Sequence, residues 1–91
     1  MDKMPSASTF QNACKISIDE DRPILLDYWK GSLDKSVLIG VRDNSEKMLV
    51  KNPEEYTSPI QKIYKIGEDY IISTENSLYI VSSSIPTKRI N

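Results

Sequence analysis

Residues 60–81 read IQKIYKIGEDYIISTENSLYIV, three short apolar runs separated by two compact polar breaks. The breaks, GED at 67–69 and TENS at 74–77, contain the residue types that favour tight turns. Strand-length apolar runs joined by short polar turns are typical of antiparallel hairpins. The stretch therefore predicts a three-stranded antiparallel meander, with strands at 60–66, 69–73 and 78–82.

Four further segments carry β-like patterns, at residues 13–18, 24–29, 36–42 and 47–51. Val37, Ile39 and Val41 alternate within the third of them, as residues on one face of a strand do. Gly40, inside the same run, indicates a bulge or a close backbone approach. Residues 52–59, with a proline near each end, are interpreted as a loop that holds at most one helical turn.

This spacing of short strands sets the predicted fold. No segment of ten or more residues combines helical apolar spacing with caps. We expect an all-β fold, a small antiparallel barrel or a strongly curved sheet of about five to seven strands. An α+β fold, with 60–66 or the N-terminal stretch helical, is the alternative. The predicted organisation is a flexible lead-in, a single β domain and a polar tail, at 1–12, 13–82 and 83–91.

The charge and cysteine content of the chain bear on its partners and its cellular compartment. The 12 basic and 13 acidic residues give a net charge of −1, whereas nucleic-acid-binding proteins usually show a basic excess. Cys14 is the only cysteine, so an intrachain disulfide is excluded. Together with the absence of a signal-peptide pattern, this favours the cytoplasm, or a host's cytoplasm for a viral or phage protein. No apolar run approaches the roughly 20 residues of a membrane helix, so no membrane partner is expected.

The residue type that most often serves as a general base and as a metal ligand is missing. The chain has no histidine, and its three glycines form no phosphate-binding loop. Asp19, Glu20 and Asp21 lack the glycine and late glutamate of a calcium loop and are interpreted as a solvated acidic turn. We therefore predict no catalytic, cofactor-binding or metal site, and rank an enzyme built on carboxylates with Ser or Lys last.

Aromatic side chains are the candidate partner-binding residues, because Trp and Tyr are enriched among interface hot spots. The candidates are Tyr28, Trp29, Tyr56 and Tyr64. For Trp29 a core position competes with this role, since alternation would place Tyr28 and Trp29 on opposite faces. The prediction is a small non-catalytic protein-binding module that acts through an aromatic patch or a strand edge, on a partner or on a second copy.

Lysines near the tyrosines support an alternative. Lys47, Lys51, Lys62 and Lys65 could contact phosphates while tyrosines stack on bases, as in small barrels that bind single-stranded nucleic acid. Four acidic residues dilute that positive charge: Glu54, Glu55, Glu68 and Asp69. Nucleic acid is therefore the second choice of partner.

Residues 74–79, TENSLY, form the most motif-like segment. Thr74 can start a tight turn that Asn76 and Ser77 cap with their side chains. The segment resembles the T-x-N-S-x-Y element that closes strands near the end of many short, uncharacterised phage and bacterial β-proteins. The resemblance covers six residues of the chain and implies a viral or mobile-element origin, without implying a function.

Overall fold

The computed structural model describes residues 3–90, which form two helices and eight strands. In chain order these are α1 Ala7–Glu20, β1 Ile24–Leu25, α2 Trp29–Leu33, β2 Leu38–Val41, β3 Lys47–Asn52, β4 Glu55–Tyr56, β5 Ile60–Ile66, β6 Asp69–Thr74, β7 Leu78–Ser82 and β8 Thr87–Arg89. The strands make two four-stranded sheets: sheet A, in the order β1-β7-β6-β5, and sheet B, in the order β4-β3-β2-β8. Each sheet combines antiparallel hairpins with one parallel pair, β1 with β7 and β2 with β8.

The predicted meander is confirmed as β5, β6 and β7 of sheet A. A two-residue loop joins β5 to β6, and its first residue, Gly67, has φ 59° while the second does not have a positive φ. This is the pattern of the type II′ hairpin turn, in which glycine takes the first central position. In the next turn, Thr74 Oγ1 accepts hydrogen bonds from the N–H groups of Asn76 and Ser77, both at 3.2 Å.

The all-β prediction is wrong, because the protein is a mixed α/β fold with two four-stranded mixed sheets in place of one small antiparallel barrel or curved sheet. The largest difference is α1, which replaces the strand predicted at 13–18 and includes lead-in residues from Ala7 onward. Residues 1–2 of that lead-in lie outside the described residues. Of the two helices considered in the α+β alternative, the N-terminal one is present, whereas 60–66 is a strand.

Local capping contributes to the stability of α1. Ser6 Oγ accepts a hydrogen bond from the Thr9 N–H at 3.1 Å, so a free donor of the first turn is satisfied. The helix ends at Asp21, which adopts the left-handed conformation with φ 55°. Phe10, Ala13 and Ile16, spaced three apart, face sheet A. This apolar stripe is short, and the alternation of residues at 13–18 predicted a strand instead. Ile18, which was expected to lie on that strand, is 80% exposed on the helix.

Three smaller predictions also differ from the structure. The predicted strand at 24–29 is reduced to β1, and α2 begins within the same segment at Trp29. The predicted loop at 52–59 contains β4 and no helical turn. The predicted polar tail contains β8, which extends sheet B beside β2.

The molecule is layered, with the helices on sheet A and sheet A on sheet B. Between the two sheets lie Tyr28, Val37, Ile39, Leu49, Ile72, Val81 and Ile85. On the other side of sheet A lie Ala13, Trp29, Ile71, Leu78 and Ile80. Neighbouring residues such as Ile71 and Ile72 point to opposite faces, so sheet A is buried on both sides. Among the described residues, sheet B is covered on one side, and its outer face has no layer packed on it.

Neither helix in the described part of the chain has the length and apolar character needed to cross a membrane.

Candidate functional site

The outer face of sheet B carries an apolar groove, which we call the open-face groove. Strand register places Leu38 opposite Val50, and Val50 opposite Tyr56, so these side chains share one face of the sheet. The groove has a volume of about 470 Å³, within the range of ligand-binding clefts. Its lining residues are Leu38, Arg42, Met48, Val50, Lys51, Asn52, Pro53, Tyr56 and Ile90.

Met48 forms the floor of the groove, and Gly40 lies opposite it on β2. Met48 is 3% exposed, and it lies on the outer side of the sheet because the adjacent Leu49 points to the core between the sheets. A Cβ on Gly40 would lie 2.6 Å from Ile90 Cδ1 and 3.0 Å from Val50 Cγ2. Ile90 is therefore seated directly on the backbone of β2, and the close approach predicted at Gly40 is confirmed.

The rim of the groove is aromatic and cationic. Tyr56 is 52% exposed, and the Arg42 guanidinium carbon lies 5.9 Å from the centroid of its ring. This distance is within the range of cation–π contacts, so the two side chains orient each other. Lys88 pairs with Gly40 in the register and therefore points to the same face. No Asp or Glu is among the described residues that line the groove.

The four aromatic candidates do not share one surface. Tyr56 lies at the groove, whereas Tyr28 and Trp29 are buried in different core clusters. The Trp29 indole Nε1 donates a hydrogen bond to the Lys3 carbonyl at 2.9 Å. Tyr64 is half-buried at α1, where its hydroxyl donates to Glu20 Oε2 at 3.1 Å. Among the predicted partner-binding residues, the structure therefore places Tyr56 alone at the groove.

The candidate nucleic-acid-binding lysines are also dispersed. Lys47 and Lys62 line a shallow polar groove that Glu46 shares. Lys65 is three residues beyond Lys62 on β5, and so points to the opposite face of sheet A. The Lys51 Nζ lies 5.1 Å from the centroid of the Tyr28 ring. Nucleic-acid binding stays a prediction, and this dispersal gives it no common surface.

A polar cluster joins the end of α1 to sheet A. Glu20 Oε1 accepts hydrogen bonds from Ser73 Oγ at 3.1 Å and from Arg22 Nη1 at 3.2 Å. Arg22 Nη1 also donates to Ser73 Oγ at 2.7 Å and to the Thr74 carbonyl. The Ser73 side chain is fully buried, so its hydroxyl is closed to a substrate. Glu20, predicted to lie in a solvated acidic turn, therefore helps to hold the end of α1 against sheet A as a structural tether.

The apolar members of the groove were not among the predicted partner-binding residues, which are all aromatic. A signal was present: Leu38-Ile39 and Met48-Leu49-Val50 are apolar on both faces of their strands. A sheet with one solvated face shows polar residues at alternate positions instead. Apolar residues on both faces of β2 and β3 indicate that the outer face is not an ordinary solvated surface.

Burial raises the pKa of the Tyr28 phenol, and Tyr79, Glu55 and Asp27 raise it further. The folded protein holds this proton more tightly than the unfolded chain, whose phenol titrates near pH 10. The contribution of the protonated Tyr28 phenol to the free energy of unfolding is therefore complete below pH 10. It is lost as the pH rises through the pKa of Tyr28 in the folded protein. We expect the free energy of unfolding to fall in this range, and to fall less in Tyr28→Phe. Urea denaturation between about pH 8 and pH 11 measures this.

Tyr56→Phe serves as the matched control for that measurement, because Tyr56 is exposed. It should retain the pH dependence of the wild-type protein. An identical alkaline decline in wild type and Tyr28→Phe would contradict the assignment to Tyr28.

No protein-family model matches this chain, and neither a curated protein nor a solved structure gives a significant match. The resemblance of residues 74–79 to phage and bacterial β-proteins therefore stays a prediction.

Proposed function

We propose that this protein is a small non-catalytic domain that binds a partner protein through the open-face groove. The observation that carries the proposal is the asymmetry of the layers. Sheet A is packed on both faces, whereas sheet B leaves its outer face, with an apolar groove, to the surroundings. An apolar concavity bordered by polar side chains is typical of interaction sites.

The side chains at the groove suit a protein interface. Tyr56 presents a large ring with few rotatable bonds, and Arg42 lies against it. Tyr and Arg are enriched among residues that dominate binding energy, and ordering them costs less when they are already held in place. Met48 lies buried below the groove, and its flexible, polarizable side chain adapts to the shape of what packs above it. The floor and rim therefore combine apolar area with orienting polar groups.

The strand edges are weaker candidates than the sheet face. The longest edge strand, β5, carries Lys62 and Lys65 and has an irregular register between Ile60 and Lys62. Lysines and bulges on edge strands are the features by which proteins discourage strand addition. The edges of sheet B are β4 and β8, with two and three residues. These features favour the groove over β-augmentation.

The chemistry of the groove supports binding without catalysis. Its described lining residues include no histidine, cysteine, serine or carboxylate, so the common pairs of Ser or Cys with a histidine or carboxylate base cannot be assembled there. The cluster of Glu20, Arg22 and Ser73 is occupied by its own hydrogen bonds and lies away from the groove.

A library of random twelve-residue peptides displayed on phage tests the proposal. The wild-type protein is the bait, and enriched peptides are synthesised and measured by fluorescence anisotropy. We expect enriched peptides whose affinity falls at least about tenfold in Val50→Glu, because the substitution puts a charge on the apolar wall. Tyr56→Ser should weaken the binding of the same peptides. Because Tyr56 is more exposed, this substitution should leave the fold intact.

Ile18→Glu is the matched control, since Ile18 is an exposed aliphatic residue on α1, away from the groove. It should bind the peptides as the wild type does. Circular dichroism and urea denaturation confirm that each variant folds. Failure to enrich any peptide, or enriched peptides that Val50→Glu and Tyr56→Ser bind unchanged, would refute the groove as the binding surface.

A further inference from the structure

We infer that the occupant of the open-face groove is an acidic, apolar segment of a partner protein. In this arrangement an aliphatic or aromatic side chain lies on Met48, and a neighbouring carboxylate pairs with Arg42. The inference rests on the proposed function and adds to it the chemistry of the partner.

The charge at the groove is cationic although the whole chain is not. Arg42 lines the groove, and Lys88 points to the same face of sheet B. The carboxylate beside them, that of Glu55, is held by a hydrogen bond from Asn52 Nδ2 at 3.0 Å. The chain as a whole carries 12 basic and 13 acidic residues. The positive border is therefore a local feature, and complementary interfaces place negative groups opposite it.

Arg42 is the cation best placed to bind a carboxylate. The amine of Lys51 lies over the Tyr28 ring, which directs it toward the core side of the strand end. Arg42 is exposed and makes no ion pair within residues 3–90. The guanidinium of an arginine stacked near a ring can still donate in its own plane, and a carboxylate accepts two such hydrogen bonds.

The apolar part of the site defines the rest of the ligand. Leu38, Met48 and Val50 form a surface that gains free energy when an apolar side chain displaces water from it. A volume of about 470 Å³ holds one or two large side chains rather than a folded element. The chemistry fits a short segment in which aliphatic or aromatic residues alternate with Asp or Glu.

A second copy of this chain fits the groove less well. In a two-fold symmetric dimer the same patch meets itself, so a groove that is lined by Arg42 and has no carboxylate in its lining would offer its copy no acidic partner in that lining. Like charges across an interface disfavour it. The inference therefore commits to a different, acidic partner.

The experiment uses the enriched peptides from the display selection and the full chain. Each peptide is synthesised in two forms, as selected and with every Asp and Glu changed to Asn and Gln. Binding of both forms is measured by fluorescence anisotropy to wild type, Arg42→Glu and Arg89→Glu. Arg89 is the matched control because it pairs with Asp43 and points to the other face of sheet B.

We expect acidic residues to be enriched in the selected peptides. Affinity should fall at least about tenfold when the acidic residues of the peptide are neutralised, or when the charge at position 42 is reversed in Arg42→Glu. Arg89→Glu should leave affinity within about twofold, as expected for a charge outside the contact. Neutral or basic peptides that bind the groove and ignore Arg42→Glu would overturn this inference and leave the proposed function standing. If no peptide depends on Val50 or Tyr56, both fail. Sedimentation equilibrium tests whether a second copy occupies the groove. A wild type that dimerises, with Val50→Glu remaining a monomer, would also overturn the inference.

Discussion

Replacing Leu49 by alanine is expected to lower the free energy of unfolding by about 3–4 kcal/mol, as truncation of a fully buried leucine does. Leu49 is fully buried between the two sheets, in one cluster with Ile39 and Ile72. Removing its branched end loses burial and leaves a cavity that the close-packed neighbours cannot fill. Urea denaturation followed by circular dichroism measures the change.

The adjacent residue provides the matched comparison. Met48 is almost as buried as Leu49, but it faces the open-face groove. In Met48→Ala, water can enter the enlarged groove and no closed cavity forms, so only the lost burial counts and we expect a loss of about 2 kcal/mol, the lower end for a buried methionine. An equal cost for both substitutions would mean that Met48 belongs to the core and that the groove is not open.

The second large effect is expected for Arg22→Ala, with a loss of about 2–3 kcal/mol. The Arg22 and Glu20 side chains are 21% and 23% exposed, so water screens their pairing only in part. The substitution removes the guanidinium that donates hydrogen bonds to Ser73 Oγ and to the Thr74 carbonyl. It also leaves the Glu20 carboxylate without its cation. Urea denaturation gives the free energy, and hydrogen exchange should show faster exchange along α1.

Arg89→Ala is the control for Arg22→Ala. Arg89 also pairs with a carboxylate, that of Asp43, but the two side chains are 77% and 75% exposed. Exposed pairs contribute little because water screens them, so stability should change by no more than about 0.5 kcal/mol. Comparable losses in the two variants would show that the polar cluster at Glu20 is not a tether.

The parts of the fold that short-range patterns encode were predictable. The meander needs alternating apolar residues and turn residues at fixed positions, such as Gly67 and Thr74, and these interactions span few residues. The β2–β3 hairpin follows in the same way from 36–42 and 47–51. In each case the local preference and the final pairing agree.

The helix α1 depends on residues far away in the chain. Asp69 Oδ2 accepts hydrogen bonds from the Ser6 N–H at 3.1 Å and the Thr9 hydroxyl at 2.7 Å, across about sixty residues of sequence. This buried carboxylate satisfies donors of the first turn and lies at the positive end of the helix. From local pattern alone, Asp69 is a turn residue and 13–18 is an alternating strand.

Of the candidate site, Tyr56 and the close approach at Gly40 could be named in advance, because each shows in its own residue type. The face that Tyr56 shares with Leu38, Met48 and Val50 could not. Local alternation assigns side chains to one face or the other, but it does not say which face receives a covering layer. That choice came from packing: α1, α2 and sheet B cover the two faces of sheet A, which leaves the outer face of sheet B as the surface available to a partner.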